Sequence, residues 1–99
     1  MAFRFETLEF WQMAKEYATR VYAVTAKYPR HEDYGLKFLL NRAVNSIALN
    51  IAEGTARSSN KAFDSHLELA LGSTVAVVTG ALFAKDRVYI TEVEHSALL

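Results

Sequence analysis

The stretch that decides the fold is residues 42–72, which read RAVNSIALNIAEGTARSSNKAFDSHLELALG. Near its centre one apolar segment stops and another begins, on either side of Gly54. Upstream of Gly54, apolar residues recur at three- and four-residue steps, which places them on one face of a helix. These residues are Leu36, Leu39, Leu40, Ala43, Val44, Ile47, Ala48, Ile51 and Ala52. The periodicity predicts a helix that buries one continuous stripe and ends near residue 53.

Gly54 is the predicted end of this helix. Glycine adopts positive φ without a Cβ penalty, so it suits the position just past a helix C-terminus. The next residues, 55–60, form a short polar connection, which favours an antiparallel helix pair. The candidates for the N-cap of the following helix are Ser58, Ser59 and Asn60.

Asn50 and Glu53 are polar residues that a purely apolar packing scheme does not explain. Each lies within a turn of the bend, where an amide or a carboxylate can bond free backbone groups or Arg57 across the connection. We interpret them as residues that pin the hairpin. A direct role in binding is the alternative.

The residues of the hairpin also follow a family pattern. The run 41–54, NRAVNSIALNIAEG, is followed by Arg57, Ser59, Lys61, Phe63, His66, Leu67, Ala70, Leu71, Gly72 and Ser73. Taken together, they resemble the small bacterial four-helix-bundle proteins first met as products of intervening sequences in 23S ribosomal RNA genes. The accessory variability proteins of diversity-generating retroelements look like relatives of the same group.

The resemblance implies an all-α, up-down four-helix bundle packed as a homo-oligomer, with a pentameric ring as in relatives. It also implies that the family-motif positions are structural; these are Asn50, Glu53, Gly54, Gly72 and Ser73. The chain departs from the family in two places. The family's fourth helix is usually much longer, and the family commonly has acidic residues after the Gly-Ser pair, where residues 74–78 here read TVAVV.

The whole chain predicts one domain, residues 1–99, with helices at about 6–28, 33–53, 60–86 and 91–98. Pro29 stops the first helix, because its ring disfavours helical conformation at the preceding residue. Thr91 and Glu94 match a capping box, so a fourth helix begins there. This helix is too short to be stable alone and must be held by packing.

The chain has more apolar residues than a monomer of this length readily buries. Of the 99 residues, 52% are hydrophobic, whereas a chain of this length buries only about 60 to 65% of its unfolded surface. The first helix carries two apolar stripes: one is Leu8, Trp11, Ala18, Tyr22 and Thr25, and the other is Phe10, Ala14, Tyr17, Val21, Val24 and Tyr28. The second stripe is either a wide bundle face or a contact between subunits.

The third helix shows a predicted core stripe of Phe63, Leu67, Ala70, Leu71, Thr74, Val78 and Leu82. A second row contains small residues, Ser73, Gly80 and Ala84 among them, which would let a neighbouring helix approach closely. Doubled stripes on two helices and a short fourth helix together predict a homo-oligomer.

Charge is balanced overall but unevenly placed. Residues 1–61 hold nine Lys or Arg against six Asp or Glu, whereas residues 62–99 hold two against five. The side chains that assembly could bring onto one basic surface for RNA or another nucleic acid are Arg20, Lys27, Arg42, Arg57 and Lys61. The competing reading is a protein-binding scaffold whose polar rows are simply solvated.

Enzymatic chemistry finds no support in the sequence. There is no Gly-x-Ser-x-Gly elbow, P-loop or Gly-x-Gly-x-x-Gly, so no catalytic residue and no cofactor is predicted. His31, His66 and His95 lie in separate segments without a metal-binding spacing, and cysteine is absent, so no metal site is predicted. The sequence shows no leader and no membrane span, so we expect a cytoplasmic protein without a membrane partner.

Overall fold

The computed structural model describes residues 4–99. Over this range the chain forms four α-helices and no strand, which confirms the predicted all-α class. The helices are α1 (Glu9–Thr25), α2 (Leu36–Thr55), α3 (Asn60–Asp86) and α4 (Glu92–Ala97), with 3₁₀ turns at Arg4–Thr7 and Arg30–Glu32. The molecule is elongated, 44 × 22 × 22 Å.

Helix α2 is central, because it packs along both α1 and α3. The most deeply buried side chains include one valine from each of α1, α2 and α3: Val21, Val44 and Val77 are each no more than 1% exposed. Short connections join the helices, which is typical of antiparallel neighbours in an up-down bundle.

Helix α4 is short and is held by its cap and its packing. The Thr91 hydroxyl accepts from the Glu94 N–H at 3.1 Å, and the Glu94 carboxylate accepts from the Thr91 N–H at 3.0 Å. Leu98 is buried, and the Tyr17 hydroxyl donates to its carbonyl at 2.7 Å. The capping box predicted from the sequence is therefore confirmed.

Helices α1 and α2 begin or end three residues inside their predicted bounds, whereas α3 and α4 agree to within one residue. Helix α1 begins at Glu9 after the 3₁₀ turn, and it ends at Thr25 rather than residue 28. The N–H of Tyr28 bonds the carbonyl of Thr25, three residues back, so the last turn tightens ahead of Pro29. Helix α2 begins at Leu36 rather than residue 33, because a second 3₁₀ turn precedes it.

Gly54 does not end α2, so the predicted positive-φ role was wrong. The helix continues to Thr55, and no glycine within residues 4–99 has positive φ. Gly54 is buried, and a Cβ atom there would lie 3.0 Å from both Phe63 Cδ1 and His66 Cβ. A Cβ atom at this position would require Phe63 or His66 to shift by a few tenths of an ångström, so glycine suits the close approach of α3.

The buried side of α3 carries small residues, namely Ala70, Val77, Gly80, Ala81 and Ala84. Leu71 and Leu82, which the sequence placed in the core, are 65% and 44% exposed, so that part of the prediction was wrong. Close packing explains the difference, since a Cβ atom on Gly80 would lie 2.5 Å from Leu40 Cδ2. The predicted close approach along the small-residue row is confirmed at Gly80.

The C-terminus of α3 is a Schellman motif without glycine. The Tyr89 N–H bonds the Ala84 carbonyl at 2.8 Å, and the Val88 N–H bonds the Lys85 carbonyl at 3.0 Å. Val88 therefore adopts a φ of 60°, which is costly for a β-branched residue. The motif reverses the chain so that Tyr89 and Ile90 turn back toward the core.

By length and composition alone, helix α3 could cross a membrane, since it contains an 18-residue window with a mean hydropathy of 1.7. The sequence expectation that no segment is apolar enough for a membrane span was therefore wrong. Only 28% of that window is buried within the fold. Its charge-free part, residues 69–84, spans about 24 Å, which is shorter than a hydrocarbon core of about 30 Å. One such helix is weak evidence for a membrane span.

Candidate functional site

A chain of hydrogen bonds, here called the hairpin relay, links the α2–α3 connection to the interface between the two helices. The Arg57 Nε–H donates to His66 Nε2 at 3.2 Å, and the His66 Nδ1–H donates to Asn50 Oδ1 at 3.2 Å. The Asn50 amide donates to the Ser46 hydroxyl and carbonyl, both at 2.9 Å. The Ser73 hydroxyl donates to the Ser46 hydroxyl at 2.9 Å.

The hairpin relay runs from solvent into the protein. Arg57 is exposed, the His66 side chain is 15% exposed, and Asn50 is half-buried. Glu53 stands beside the relay, with its Oε2 3.9 Å from His66 Nδ1. The structure thus places Asn50 and Ser73, two family-motif positions, in contacts that hold α2 against α3.

The five basic residues predicted to contact nucleic acid are spread over the molecule. Arg57 lies in the α2–α3 connection and Lys61 in the first turn of α3, so both are at the same end of α2. Lys27 lies at the other end of α2, which is about 30 Å long, and is ion-paired with Glu94 at 3.8 Å.

The remaining two basic residues lie at the middle of the bundle. Arg20 lines the groove between α1 and α3, whereas Arg42 lies on the outer side of α2. One copy therefore does not gather the five on one surface.

The outer side of α3 is apolar and uncharged. This α3 face consists of Leu69, Leu71, Gly72, Val75, Ala76, Thr79, Leu82 and Phe83, all of them exposed. No charged residue occurs between Glu68 and Lys85. A Cβ atom on Gly72 would meet no other atom within 4 Å. Contiguous apolar patches are uncommon on the surface of monomeric soluble proteins.

A groove beside the α3 face extends this apolar surface. It lies between α1 and α3 where α4 is too short to cover it, has a volume of about 500 Å³, and is lined in part by Phe10, Met13, Ile47 and Val78. Leu98 and Leu99 close one end.

Comparison with protein-family models identifies the chain. Residues 6–99 match the model of the 23S rRNA-intervening sequence protein family. The chain belongs to this family. The match confirms the resemblance seen in the hairpin residues, and the family is one of small helical proteins not known as enzymes. A search of curated proteins finds no match.

This member of the 23S rRNA-intervening sequence protein family has a second polar cluster, at the end opposite the hairpin. The buried Glu32 carboxylate accepts from the Leu36 N–H at 3.1 Å, from Arg87 at 2.8 Å and from the Tyr89 hydroxyl at 2.9 Å. The Leu36 N–H, with Tyr89 and Arg87, holds the pKa of the Glu32 carboxyl below its usual range. The cluster ties the start of α2 to the end of α3.

Sequence reasoning missed this Glu32 cluster as a unit. Glu32 precedes α2, and its carboxylate accepts from the first N–H of that helix, at its positive end. Arg87 lies 55 residues away in sequence, so no local spacing connects the two. The turn at Val88, where the chain leaves α3, brings Arg87 and Tyr89 to Glu32.

Two buried polar atoms have no hydrogen-bond partner among residues 4–99: the Tyr28 hydroxyl and His95 Nε2. Burial, with the nearby Glu94 and Glu32 carboxylates, raises the pKa of Tyr28 to about 12. The ring of Tyr28 stacks at 5.4 Å on that of Tyr89. The Tyr28 hydroxyl therefore contributes nothing that a phenylalanine ring would lack.

The three histidines lie in different parts of the molecule. His31 Nε2 bonds the Tyr89 hydroxyl at 3.0 Å, His66 belongs to the hairpin relay, and His95 is buried in α4. Within the part of the chain that the structure describes, no three His, Asp or Glu side chains converge as a metal site would require.

Proposed function

We propose that this protein is a non-enzymatic subunit of a homo-oligomer that assembles through the α3 face. The observation that carries the proposal is the inversion of side-chain size on α3. The small residues face α2, whereas Leu71, Val75 and Phe83 face outward on a helix side without charge. A solitary soluble domain gains nothing from this arrangement, but a subunit interface does.

The energies support self-association. Five large apolar side chains of the α3 face are each about half exposed: Leu69, Leu71, Val75, Leu82 and Phe83. Covering them contributes on the order of 5 kcal/mol per copy. This is comparable with the whole stability of a small domain, about 5–15 kcal/mol. The subunit count proposed from the family resemblance is five, arranged as a ring.

Light scattering on a sizing column tests the assembly. We expect the unmodified protein to elute as an oligomer at micromolar concentration and Leu71→Glu to shift it to a monomer, because the charge would be buried unpaired. Leu49→Glu is the matched control, since Leu49 is similarly exposed but lies on α2. A monomeric unmodified protein would refute the proposal; dissociation by both variants would reject the α3 assignment.

We further propose that the assembly contacts structured RNA in the cytoplasm. Arg57 and Lys61 lie four residues apart in the chain at one end of α2, and repeating these two cations around a ring multiplies weak phosphate contacts. Filter binding of an RNA hairpin at several salt concentrations tests this. Affinity should fall steeply with salt, and Arg42→Ala with Lys61→Ala should flatten the dependence; an affinity independent of salt would contradict it.

A protein-binding scaffold is the second candidate, and the outer groove of α2 favours it. This groove has a volume of about 660 Å³, and Tyr22, Phe38 and Arg42 line it. Half-exposed aromatic residues around an arginine are typical of protein-binding hot spots. Affinity capture from native lysate, with and without nuclease, separates the two candidates: captured proteins that survive nuclease support the scaffold.

A further inference from the structure

We propose that His66 is a proton-controlled latch on Arg57. The neutral imidazole holds the Arg57 guanidinium in the hairpin relay, and protonation of the imidazole releases it to solvent. As a regulatory device the latch rests on the nucleic-acid contact proposed above, because Arg57 is one of the residues offered for that contact. The latch itself depends only on the geometry of the relay.

Donor chemistry determines the tautomer of His66 from both sides. Arginine has only donors, so the 3.2 Å contact from Arg57 Nε requires a lone pair on His66 Nε2. Asn50 donates both of its amide bonds to Ser46, which leaves Asn50 Oδ1 as an acceptor facing His66 Nδ1. His66 in the relay is therefore neutral and carries its proton on Nδ1.

Protonation is incompatible with the Arg57 contact. The added proton occupies Nε2, so two N–H donors and two positive charges would face each other over 3.2 Å. Within the described residues, two charged groups face the ring: Arg57 from the connection and Glu53 from α2, whose Oε2 lies 3.9 Å from Nδ1. The imidazolium is attracted to Glu53 and repels Arg57.

Protonation of His66 also makes the charge around Arg57 more positive. In the neutral state the Arg57 cation and the Glu53 anion offset each other beside an uncharged ring. After protonation, the His66 charge compensates Glu53, and the Arg57 charge is no longer offset, at the same end of α2 as Lys61. Protonation of His66 should therefore strengthen binding of phosphate groups at this end of the molecule.

Nitrogen-15 NMR of the unmodified protein tests the latch directly. At about pH 8 we expect the Nδ1–H tautomer of His66, with its Nε2 unprotonated. On acidification, protonation of Nε2 should coincide with a change in the Arg57 Nε signal. An Nε2–H tautomer at the higher pH, or an Arg57 signal unaffected by the titration, would overturn the latch whatever the protein binds.

Binding of a fluorescein-labelled RNA hairpin tests the regulatory role. Affinity should be about threefold to fivefold higher at about pH 5.5 than at about pH 8. His66→Gln should abolish this difference, because glutamine can accept from Arg57 and donate to Asn50 but does not titrate. His31→Gln is the matched control and should retain the difference, since His31 contacts Tyr89 instead.

The two sets of results separate the two proposals. If the hairpin RNA does not bind at either pH, the nucleic-acid contact and its regulation are both overturned, while the NMR titration still decides the latch. If the RNA binds equally at both pH values, or if His66→Gln keeps the difference, regulation by His66 is overturned alone. Circular dichroism of each variant verifies that it is folded before binding is compared.

Discussion

Replacing Gly80 with alanine should destabilise the protein, whereas the same replacement at Gly72 should stabilise it. Both residues lie inside α3, so both gain about 1 kcal/mol of helix propensity on becoming alanine. The surroundings differ. A Cβ atom on Gly72 meets no atom within 4 Å, whereas one on Gly80 lies 2.5 Å from Leu40 Cδ2 and 2.9 Å from Leu40 Cγ.

The magnitude at Gly80 follows from the confinement of Leu40. Leu40 is 3% exposed, so it cannot rotate into solvent to admit the new methyl group. Overpacking of this kind costs about 1–3 kcal/mol. Subtracting the gain in propensity leaves a net loss of up to about 2 kcal/mol for Gly80→Ala, against a gain of about 1 kcal/mol for Gly72→Ala. The two variants should therefore differ by about 1–3 kcal/mol.

Urea unfolding followed by circular dichroism measures the difference. Gly72 belongs to the α3 face, so the comparison is made in a Leu71→Glu background, where assembly does not contribute. The denaturant midpoint should rise for Gly72→Ala and fall for Gly80→Ala, at an unchanged slope. A Gly80→Ala variant as stable as Gly72→Ala would refute the close packing of α2 against α3.

Three further changes test single features. Val88→Gly should raise the free energy of unfolding by about 0.5–1 kcal/mol in urea, because glycine accepts a φ of 60° and Val88, 85% exposed, loses no packing; a loss of stability would contradict this. Tyr28→Phe should stabilise by about 1 kcal/mol at neutral pH. Because the pKa of Tyr28 is raised from 10.0 to about 12, the folded protein disfavours the phenolate and loses stability as pH rises from about 10 toward 12. The variant cannot ionise there, so it should lose less stability than the unmodified protein in that range of an alkaline melt; identical alkaline melts would count against it. Glu32→Gln should lower the melting temperature at neutral pH and make it depend less on pH in acid. The folded protein holds the pKa of Glu32 below its usual value, so the carboxylate stabilises the fold above that usual pKa, and the stabilisation is lost as pH falls through the pKa in the folded protein. A melting temperature that falls equally in acid for both proteins would argue against the cluster.

Local signals in the sequence predicted the helices and two of their caps. Ser59, one of three candidates, caps α3 by accepting from the Ala62 N–H at 3.1 Å. Thr91 and Glu94 cap α4 as their spacing indicated. These features were predictable because a cap joins groups that are only three residues apart. The family resemblance rested on the same local run of residues and was confirmed over residues 6–99.

The orientation of α3 was not predictable in this way. Residues 69–84 are apolar or small on every side, so periodicity could not choose between the stripe with Leu71 and the row with Gly80. The small residues of α3 face α2 because α2 and α3 pack so closely at Leu40 that larger side chains would not fit between them. The outward direction of the large residues, and hence the α3 face, is a consequence of this choice.

The sequence by itself determined that the chain is helical, where its helices are capped, and which family it belongs to, because each of these depends on residues close together in the chain. Three features depended on the tertiary structure alone. Gly54 allows α3 to pack closely against α2 instead of forming a turn. Arg57 donates a hydrogen bond to His66, and Arg87 donates one to Glu32. These contacts join different segments of the chain. Their geometry is set by how tightly the helices pack, which no local spacing specifies.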